Sequence, residues 1–246
     1  MHHAPTSPRT RRTPRLLVAL ACLASATVAA QPAAPPAAGT WEADVAAYAA
    51  RDRERPPETG GVCFIGSSNI RLWTTLADDF PGMTVVNRGV GGCRLAELAE
   101  FAPRLVAAAK PRVIVVSAGT NDINAGAAPA EVRAAFAALV GALKREVPDA
   151  VVAFLAISPS LARWEQRDRQ REANEAVRDF IAASGDRRLR YLDANAAFLG
   201  PDGRPDPACF VKDRQHPSVA GNARRAAILR PLLADLLRES APAAAR

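Results

Sequence analysis

Five short apolar runs alternate with longer segments of helical periodicity after residue 40. The runs cover residues 62–65, 83–86, 113–117, 151–157 and 189–192. Most of them are apolar at nearly every position and rich in β-branched residues, a pattern typical of strands that are covered on both faces. The runs therefore predict the strands of a buried sheet.

Helical patterns separate and flank these runs. The predicted helices cover residues 41–53, 95–109, 131–147, 164–183 and 219–237. Arg230-Pro231 in the last of them predicts a kink or a break. Strands that alternate with helices form right-handed crossover units. The fold class is therefore predicted to be α/β, a three-layer α/β/α sandwich with a central five-stranded parallel sheet. In such sheets, ligands bind beyond the C-terminal ends of the strands.

The N-terminal 40 residues differ from the rest of the chain. Basic residues precede an apolar stretch at residues 16–21, and small residues continue to Ala30. This order predicts a secretory signal peptide at residues 1–30, a Pro/Ala-rich linker at 31–40 and one domain at 41–240. The apolar stretch is too short to span a bilayer, so no stable membrane insertion is expected once the signal is removed.

Export to the periplasm or the extracellular space is the favoured interpretation of this segment. The alternatives are a buried helix of the domain, a twin-arginine signal at Arg11-Arg12, and a lipoprotein anchor on Cys22. Residues 1–30 hold four arginines and no acidic residue, so their removal lowers the net charge from +7 to about +3. The domain then lacks the basic footprint of a nucleic-acid-binding protein, and no nucleic-acid partner is expected.

The cysteines point to no metal site. Without Cys22 the domain contains Cys63, Cys93 and Cys209, and three cysteines cannot all pair with one another. The sequence contains no Cys-x-x-Cys, so a zinc cage is not expected. Cys63 belongs to a predicted core strand. An oxidising compartment would allow Cys93 and Cys209 to form a disulfide, and the sequence does not decide whether they pair.

Two adjacent hydroxyls, on Ser67 and Ser68, follow the first predicted strand. Either serine could cap the helix that begins near Ile70, or one could be a nucleophile, which requires a nearby base. Since His2 and His3 lie in the predicted signal, His216 is the only imidazole left in the domain.

Asp213 lies three residues before His216, a spacing at which the two side chains can face each other within one turn. A carboxylate in this position would fix the imidazole tautomer for a serine hydrolase. The alternatives are a structural histidine and an aspartate that caps a turn.

Two further loops could donate hydrogen bonds to an oxyanion. The glycines of "NRGVGG", at residues 87–92, allow backbone N–H groups to approach a ligand, and Asn121 follows the third predicted strand. The glycine loop lacks the third glycine of a dinucleotide fingerprint, which disfavours a nucleotide-binding module. The Gly-x-Ser-x-Gly elbow of α/β-hydrolases is also absent.

The four loops together resemble the SGNH, or GDSL-type, hydrolase family, in the subgroup whose first block is Gly-Ser-Ser. The matching blocks are Gly-Ser-Ser at 66–68, the Asn-to-Gly segment at 87–92, Gly-Thr-Asn-Asp at 119–122 and the Asp-to-His segment at 213–216. The resemblance covers about residues 41–240 and implies a flavodoxin-like sheet. Ser67 and Asn69 stand where the family often has Asp and Leu, and no family role is transferred to them.

The resemblance implies a secreted serine esterase. Ser68, Asp213 and His216 would form the catalytic triad, and Ser68, Gly92 and Asn121 the oxyanion hole, with no metal or other cofactor. The substrate would be a small-molecule or glycan ester, such as an acetylated glycan, a lysophospholipid or a small acyl ester. Arg163 could bind an acidic or sugar substrate. The alternatives are an acyltransferase with a sugar acceptor and a non-catalytic glycan-binding protein.

Overall fold

Five strands pair in parallel in the computed structural model, which describes residues 1–3 and 40–241. The strands are β1 (Val62–Gly66), β2 (Val85–Gly89), β3 (Val113–Ser117), β4 (Val151–Leu155) and β5 (Leu189–Leu192). Their order in the sheet is β2-β1-β3-β4-β5, the flavodoxin-like arrangement. The predicted fold class is thus confirmed. The predicted signal, the linker and Cys22 lie outside the described residues.

Helices cover both faces of the sheet. They are α1 (Thr40–Glu54), α2 (Ser68–Arg71), α3 (Leu76–Asp79), α4 (Leu95–Val106), α5 (Thr120–Asn124), α6 (Pro129–Glu146), α7 (Arg167–Ser184) and α8 (Val219–Glu239). Short 3₁₀ helices cover Trp164–Gln166, Asn195–Phe198 and Pro207–Cys209. Within the described ranges, no helix combines the length and the apolar character that crossing a membrane requires.

Two apolar clusters fill the spaces between the sheet and its helices. Cys63 and Ile65 of β1 pack with α1, α4, α6 and α7, whereas Val62 and Phe64 pack with α2, α3 and α8. Successive side chains of a strand point to opposite faces of a sheet. The alternation explains why β1 is apolar at every position, because each of its two faces meets a helical layer.

The strand ends are level where the candidate loops begin. Gly66 at the end of β1 pairs with Gly89 of β2 on one side and with Ser117 of β3 on the other. The segments that follow these three residues therefore leave the sheet at the same edge. This register gathers the first three predicted blocks in one place.

Strand β2 differs from its prediction, since it begins at Val85 instead of Met83 and continues through the polar residues Asn87 and Arg88. Arg88 is buried and pairs with Asp52 of α1 at 2.5 Å. The carboxylate of Asp52 compensates the charge of Arg88. Strand β2 can therefore continue through Arg88, although the apolar pattern predicts that it ends before this residue.

Helix α8 is continuous through Pro231. Leu233 and Leu236, beyond the proline, are buried in the cluster that contains β1 and β3. Their burial contributes about 1.5–3 kcal/mol each, which offsets the roughly 3 kcal/mol cost of an internal proline. The predicted alternative of a break at Arg230-Pro231 was therefore wrong, and the alternative of a kink stays a prediction.

Candidate active site

The turn after β1 places Ser68 at the edge of the sheet. Gly66 has φ +152, and a Cβ there would lie 2.1 Å from the backbone oxygen of Ser117. Only glycine fits this close approach. Ser67 holds the N-cap position of α2, but its side chain makes no capping hydrogen bond. The capping alternative therefore does not describe either serine.

A chain of hydrogen bonds joins Ser68 to the segment before α8. Ser68 Oγ lies 2.9 Å from His216 Nε2, and His216 Nδ1 lies 2.6 Å from Asp213 Oδ2. The other oxygen of Asp213 accepts hydrogen bonds from the backbone N–H groups of Gln215 and His216, each at 2.9 Å. The hydroxyl of Ser68 is thus hydrogen-bonded to an imidazole–carboxylate pair from a distant part of the chain.

The local contacts keep Asp213 ionised. Burial raises the pKa of its carboxyl, but hydrogen bonds from the His216 side chain and from the backbone of His216 and Gln215 outweigh burial and lower the pKa to about 2. An ionised carboxylate can only accept hydrogen bonds. The proton between the two side chains therefore resides on His216 Nδ1, and Nε2 is left to accept the proton of Ser68.

Two backbone N–H groups are available beside Ser68. Gly92 has φ +81, a left-handed conformation that suits glycine. In the described part of the chain, neither the N–H of Ser68 nor that of Gly92 donates to a protein acceptor. The loop that carries Gly92 is held against the end of β1, because the Val90 N–H donates to Gly66 O at 2.7 Å.

The amide of Asn121 connects the first two loops. Its Nδ2 donates to Ser67 Oγ at 2.8 Å and to Cys93 O at 3.0 Å. Sequence reasoning missed this role of Ser67, and only the immediate sequence neighbourhood of Ser68 hinted at it. The structure thus brings Ser68, Gly92 and Asn121 to the same edge, with the Asn121 amide already hydrogen-bonded to protein acceptors.

Asp122 holds the segment that follows the glycine loop at residues 87–92. Its buried carboxylate accepts the backbone N–H of Leu95, the first residue of α4, at 3.1 and 3.3 Å. Burial raises the pKa of Asp122, and the hydrogen bond from Leu95 partly opposes this shift. The residue next to Asn121 therefore fixes the start of the helix that follows Gly92.

Replacing Asp122 tests this anchoring. Asp122→Ala leaves the buried Leu95 N–H without a partner, and we expect it to lower the free energy of unfolding by about 1–3 kcal/mol. Asp122→Asn is the matched control, because its amide oxygen can still accept this hydrogen bond. Urea denaturation of both variants measures the difference, and equal stabilities would contradict the anchoring role.

A cavity of about 20 Å³ adjoins Ser68. Eight of its eleven lining residues are polar: four serines, a threonine, two asparagines and a glutamine. Among them, the side-chain oxygen of Asn69 is buried and has no hydrogen-bond partner. Gln215 also lines this cavity, and its position just before His216 was the sequence signal that could have revealed it. The space beside the serine is small and polar.

Arg163 lies at the rim of this site. Its Nε donates to Gln215 Oε1 at 3.2 Å, and its Nη1 donates to Asn124 Oδ1. Burial lowers the pKa of the Arg163 guanidinium. The structure therefore places this residue between the loop that carries His216 and the helix that carries Asn121.

The cysteines do not form the disulfide that the sequence left open. Cys63, Cys93 and Cys209 are buried free thiols, and burial raises the pKa of Cys63 and Cys93 to about 12. Cys93 packs in the cluster that contains α4, and Cys209 packs in a separate cluster with Phe198 and Phe210. Across residues 1–3 and 40–241, no group of three or more His, Cys, Asp or Glu could hold a metal ion.

Comparisons with known proteins identify the family and the fold of the chain. The model of the GDSL-like lipase/acylhydrolase family matches residues 60–224, more than half of the chain. No curated protein matches the chain.

Solved structures share the fold. One is a protein from Streptococcus pneumonia that is described as a platelet activating factor. It is 21% identical to this chain, with a TM-score of 0.70, and the match covers 78% of this chain and 92% of the other. A GDSL-like lipase from Bacteroides thetaiotaomicron is 19% identical, with a TM-score of 0.60 over 78% and 98%. A family 3 carbohydrate esterase from Clostridium thermocellum is 14% identical, with a TM-score of 0.57 over 75% and 100%.

Proposed function

Since the chain belongs to the GDSL-like lipase/acylhydrolase family, whose members hydrolyse esters, we propose that it is a serine esterase with Ser68 as its nucleophile. The observation that carries the proposal is the continuous chain of hydrogen bonds from Asp213 through His216 to Ser68. The Gly-Ser-Ser sequence at residues 66–68 supports, as part of this proposal, membership of the subgroup that has this first block.

Proton transfer starts at Ser68. His216 Nε2 takes the proton of the hydroxyl as Ser68 Oγ attacks the ester carbonyl, and the ionised Asp213 stabilises the imidazolium that forms. The imidazolium then gives its proton to the departing alcohol. Water attacks the resulting acyl-enzyme with His216 as base again, which releases the acid and restores Ser68.

The developing oxyanion lies beside three donors in this proposal, namely the N–H groups of Ser68 and Gly92 and the side-chain amide of Asn121. A preorganised donor of this kind contributes about 2.7–4 kcal/mol to lowering the barrier. The Asn121 amide now donates to Ser67 Oγ and Cys93 O, so the oxyanion would replace one of these acceptors.

The cavity beside Ser68 favours a small acyl group. About 20 Å³ is roughly the space of one or two water molecules, and the lining is mostly polar. A long acyl chain would meet only Ala118, Ala156 and Ile157 as apolar surface there. Among the substrates considered, this favours an acetyl or similar ester over a lysophospholipid. The likeness in fold to a carbohydrate esterase supports a glycan as the alcohol portion.

A chain-length series tests both the function and the acyl group. We expect hydrolysis of p-nitrophenyl acetate, with kcat/KM at least about tenfold lower for the octanoate, because the octanoyl chain does not fit the small cavity and does not gain the roughly 0.8 kcal/mol per buried CH₂ that would compensate. Butyrate should lie between them. A higher kcat/KM for octanoate would contradict the small acyl pocket, and no hydrolysis of any ester would contradict the esterase.

Export completes the proposed function. The basic start, apolar centre and small-residue end of residues 1–30 support secretion to the periplasm or the extracellular space. N-terminal sequencing of the exported protein would locate the cleavage, and a start at Met1 would contradict the proposal.

A further inference from the structure

We propose that Arg163 binds an anionic group, a carboxylate or a phosphate, on the alcohol portion of the substrate, an inference that rests on the proposed esterase function. Arg163 is half-buried at the rim of the site. Among the described residues, no carboxylate lies within ion-pair distance of it. The substrate would supply the missing negative charge.

The contacts of Arg163 hold its guanidinium in place without neutralising it. Nε donates to the side-chain oxygen of Gln215, and Nη1 to that of Asn124. Gln166 Nε2 donates to the same Asn124 oxygen at 3.0 Å, which fixes that amide further. Both partners are neutral, and Nη2 has no protein partner in the described part of the chain. A positioned guanidinium edge of this kind suits the two oxygens of a carboxylate or phosphate.

Several other buried or partly buried arginines have a carboxylate partner. Arg88 pairs with Asp52 at 2.5 Å, Arg94 with Glu97 at 2.5 Å, and Arg190 with Glu239 at 3.1 Å. Arg112 and Arg230 instead donate to backbone carbonyls, and Arg225 stacks on Trp73. Removing a cation from water without such a partner costs free energy. Burial accordingly lowers the pKa of Arg163. An incoming anion would recover part of this cost. A fully exposed arginine has no such cost to recover, so its ion pair with the anion would contribute little free energy.

The location of Arg163 connects it to the reacting ester. Gln215, which accepts its Nε–H, lines the cavity at Ser68 and precedes His216. Asn124, which accepts its Nη1–H, belongs to α5, the helix that also contains Asn121. An anionic group on Arg163 would therefore lie beside the alcohol portion of an ester held at Ser68.

A second uncompensated arginine lies on the other side of Ser68. Arg71 packs against the glycine loop, since a Cβ on Gly91 would lie 2.4 Å from Arg71 Nε. This loop follows β2 and the Arg163 loop follows β4, and β1 with Ser68 lies between these strands. Arg71 likewise has no ion-pair partner among the described residues. Two arginines without a carboxylate partner among the described residues thus flank Ser68, which favours anionic substrates.

A pair of esters that differ in one charge tests the proposal. The substrates are 4-acetoxybenzoate and its neutral counterpart 4-acetoxybenzamide, with 4-acetoxyphenyl phosphate to separate carboxylate from phosphate. Of the two anionic esters, we expect the one that the wild type hydrolyses faster to exceed the amide by about 10- to 100-fold in kcat/KM. Arg163→Gln should reduce this preference to near one, with a much larger fall in kcat/KM for the anion than for the amide. Arg163→Lys should retain part of it, because lysine keeps the charge and loses the fork.

Arg167→Gln is the matched control. Arg167 lies four residues further along, is also half-buried, stacks on Trp164 and contacts the carboxylate of Asp168, so its loss should leave the preference unchanged. An equal effect of both substitutions would show a diffuse surface field and overturn the proposal. An equal loss on charged and neutral esters in Arg163→Gln would show that Arg163 acts only through Gln215, which also overturns it.

Binding measured without turnover separates this proposal from the esterase. Calorimetry of the same ligands on Ser68→Ala and on Ser68→Ala/Arg163→Gln gives the charge preference even where no ester is cleaved. Tighter binding of an anion that disappears with Arg163 supports the inference, whatever the wild type hydrolyses. Equal binding of anion and amide to Ser68→Ala would overturn it, even if hydrolysis is observed.

Discussion

Ser68→Ala is expected to lower kcat for p-nitrophenyl acetate by about 10⁴- to 10⁶-fold, the range seen when a serine hydrolase loses its nucleophile. The hydroxyl is the group that forms the acyl-enzyme, and His216 has no other hydroxyl within hydrogen-bond distance among the described residues. Ser68 is only half-buried, and its Oγ forms no other hydrogen bond with the residues that the structure describes, so the fold should be unaffected. Steady-state kinetics and a thermal melt of the purified variant measure both effects.

Ser67→Ala is the control that the chain itself offers. The two serines are adjacent, but Ser67 Oγ accepts a hydrogen bond from Asn121 and does not contact His216. Its loss removes one neutral hydrogen bond, for which we expect a two- to tenfold fall in kcat. If Ser67→Ala were the inactive variant and Ser68→Ala active, the nucleophile would be misassigned.

Much of the fold follows from the sequence because it depends on short-range pattern. The segments at residues 113–117 and 189–192 are strands with the predicted bounds, since their apolar runs end at turns. β2 was shifted because Arg88 is buried against Asp52 of α1, a contact between residues far apart in sequence. Pro231 failed as a helix breaker for the same reason, because buried leucines beyond it outweigh the local cost.

The candidate site was predictable where chemistry restricts the choice. One imidazole remained after the predicted signal was set aside, and the register at Gly66 brings the loops to a common edge. The partners of Arg163 and the contact between Asn121 and Ser67 could not be read from the sequence, because they depend on how separate loops fold against one another. The separate burial of Cys93 and Cys209 likewise depends on packing, and it excludes the pairing that their number left open.

A double-mutant cycle between His216 and Asp213 should show that the aspartate acts only through the histidine. We expect His216→Ala to lower kcat by about 10⁴- to 10⁶-fold and Asp213→Asn by about 10³- to 10⁴-fold. The asparagine can still accept the backbone N–H groups of Gln215 and His216, so the turn should be kept. It cannot stabilise an imidazolium, and it permits the wrong tautomer.

In the His216→Ala background, Asp213→Asn should change kcat by less than about threefold, because no imidazole is left for the carboxylate to orient. Arg214→Gln serves as the control, since it alters the charge of the same turn at an exposed side chain. A strong further loss in the double variant would mean that Asp213 acts on the substrate or on the loop directly. Near-additive effects would thus remove Asp213 from the triad while leaving Ser68 and His216 in place.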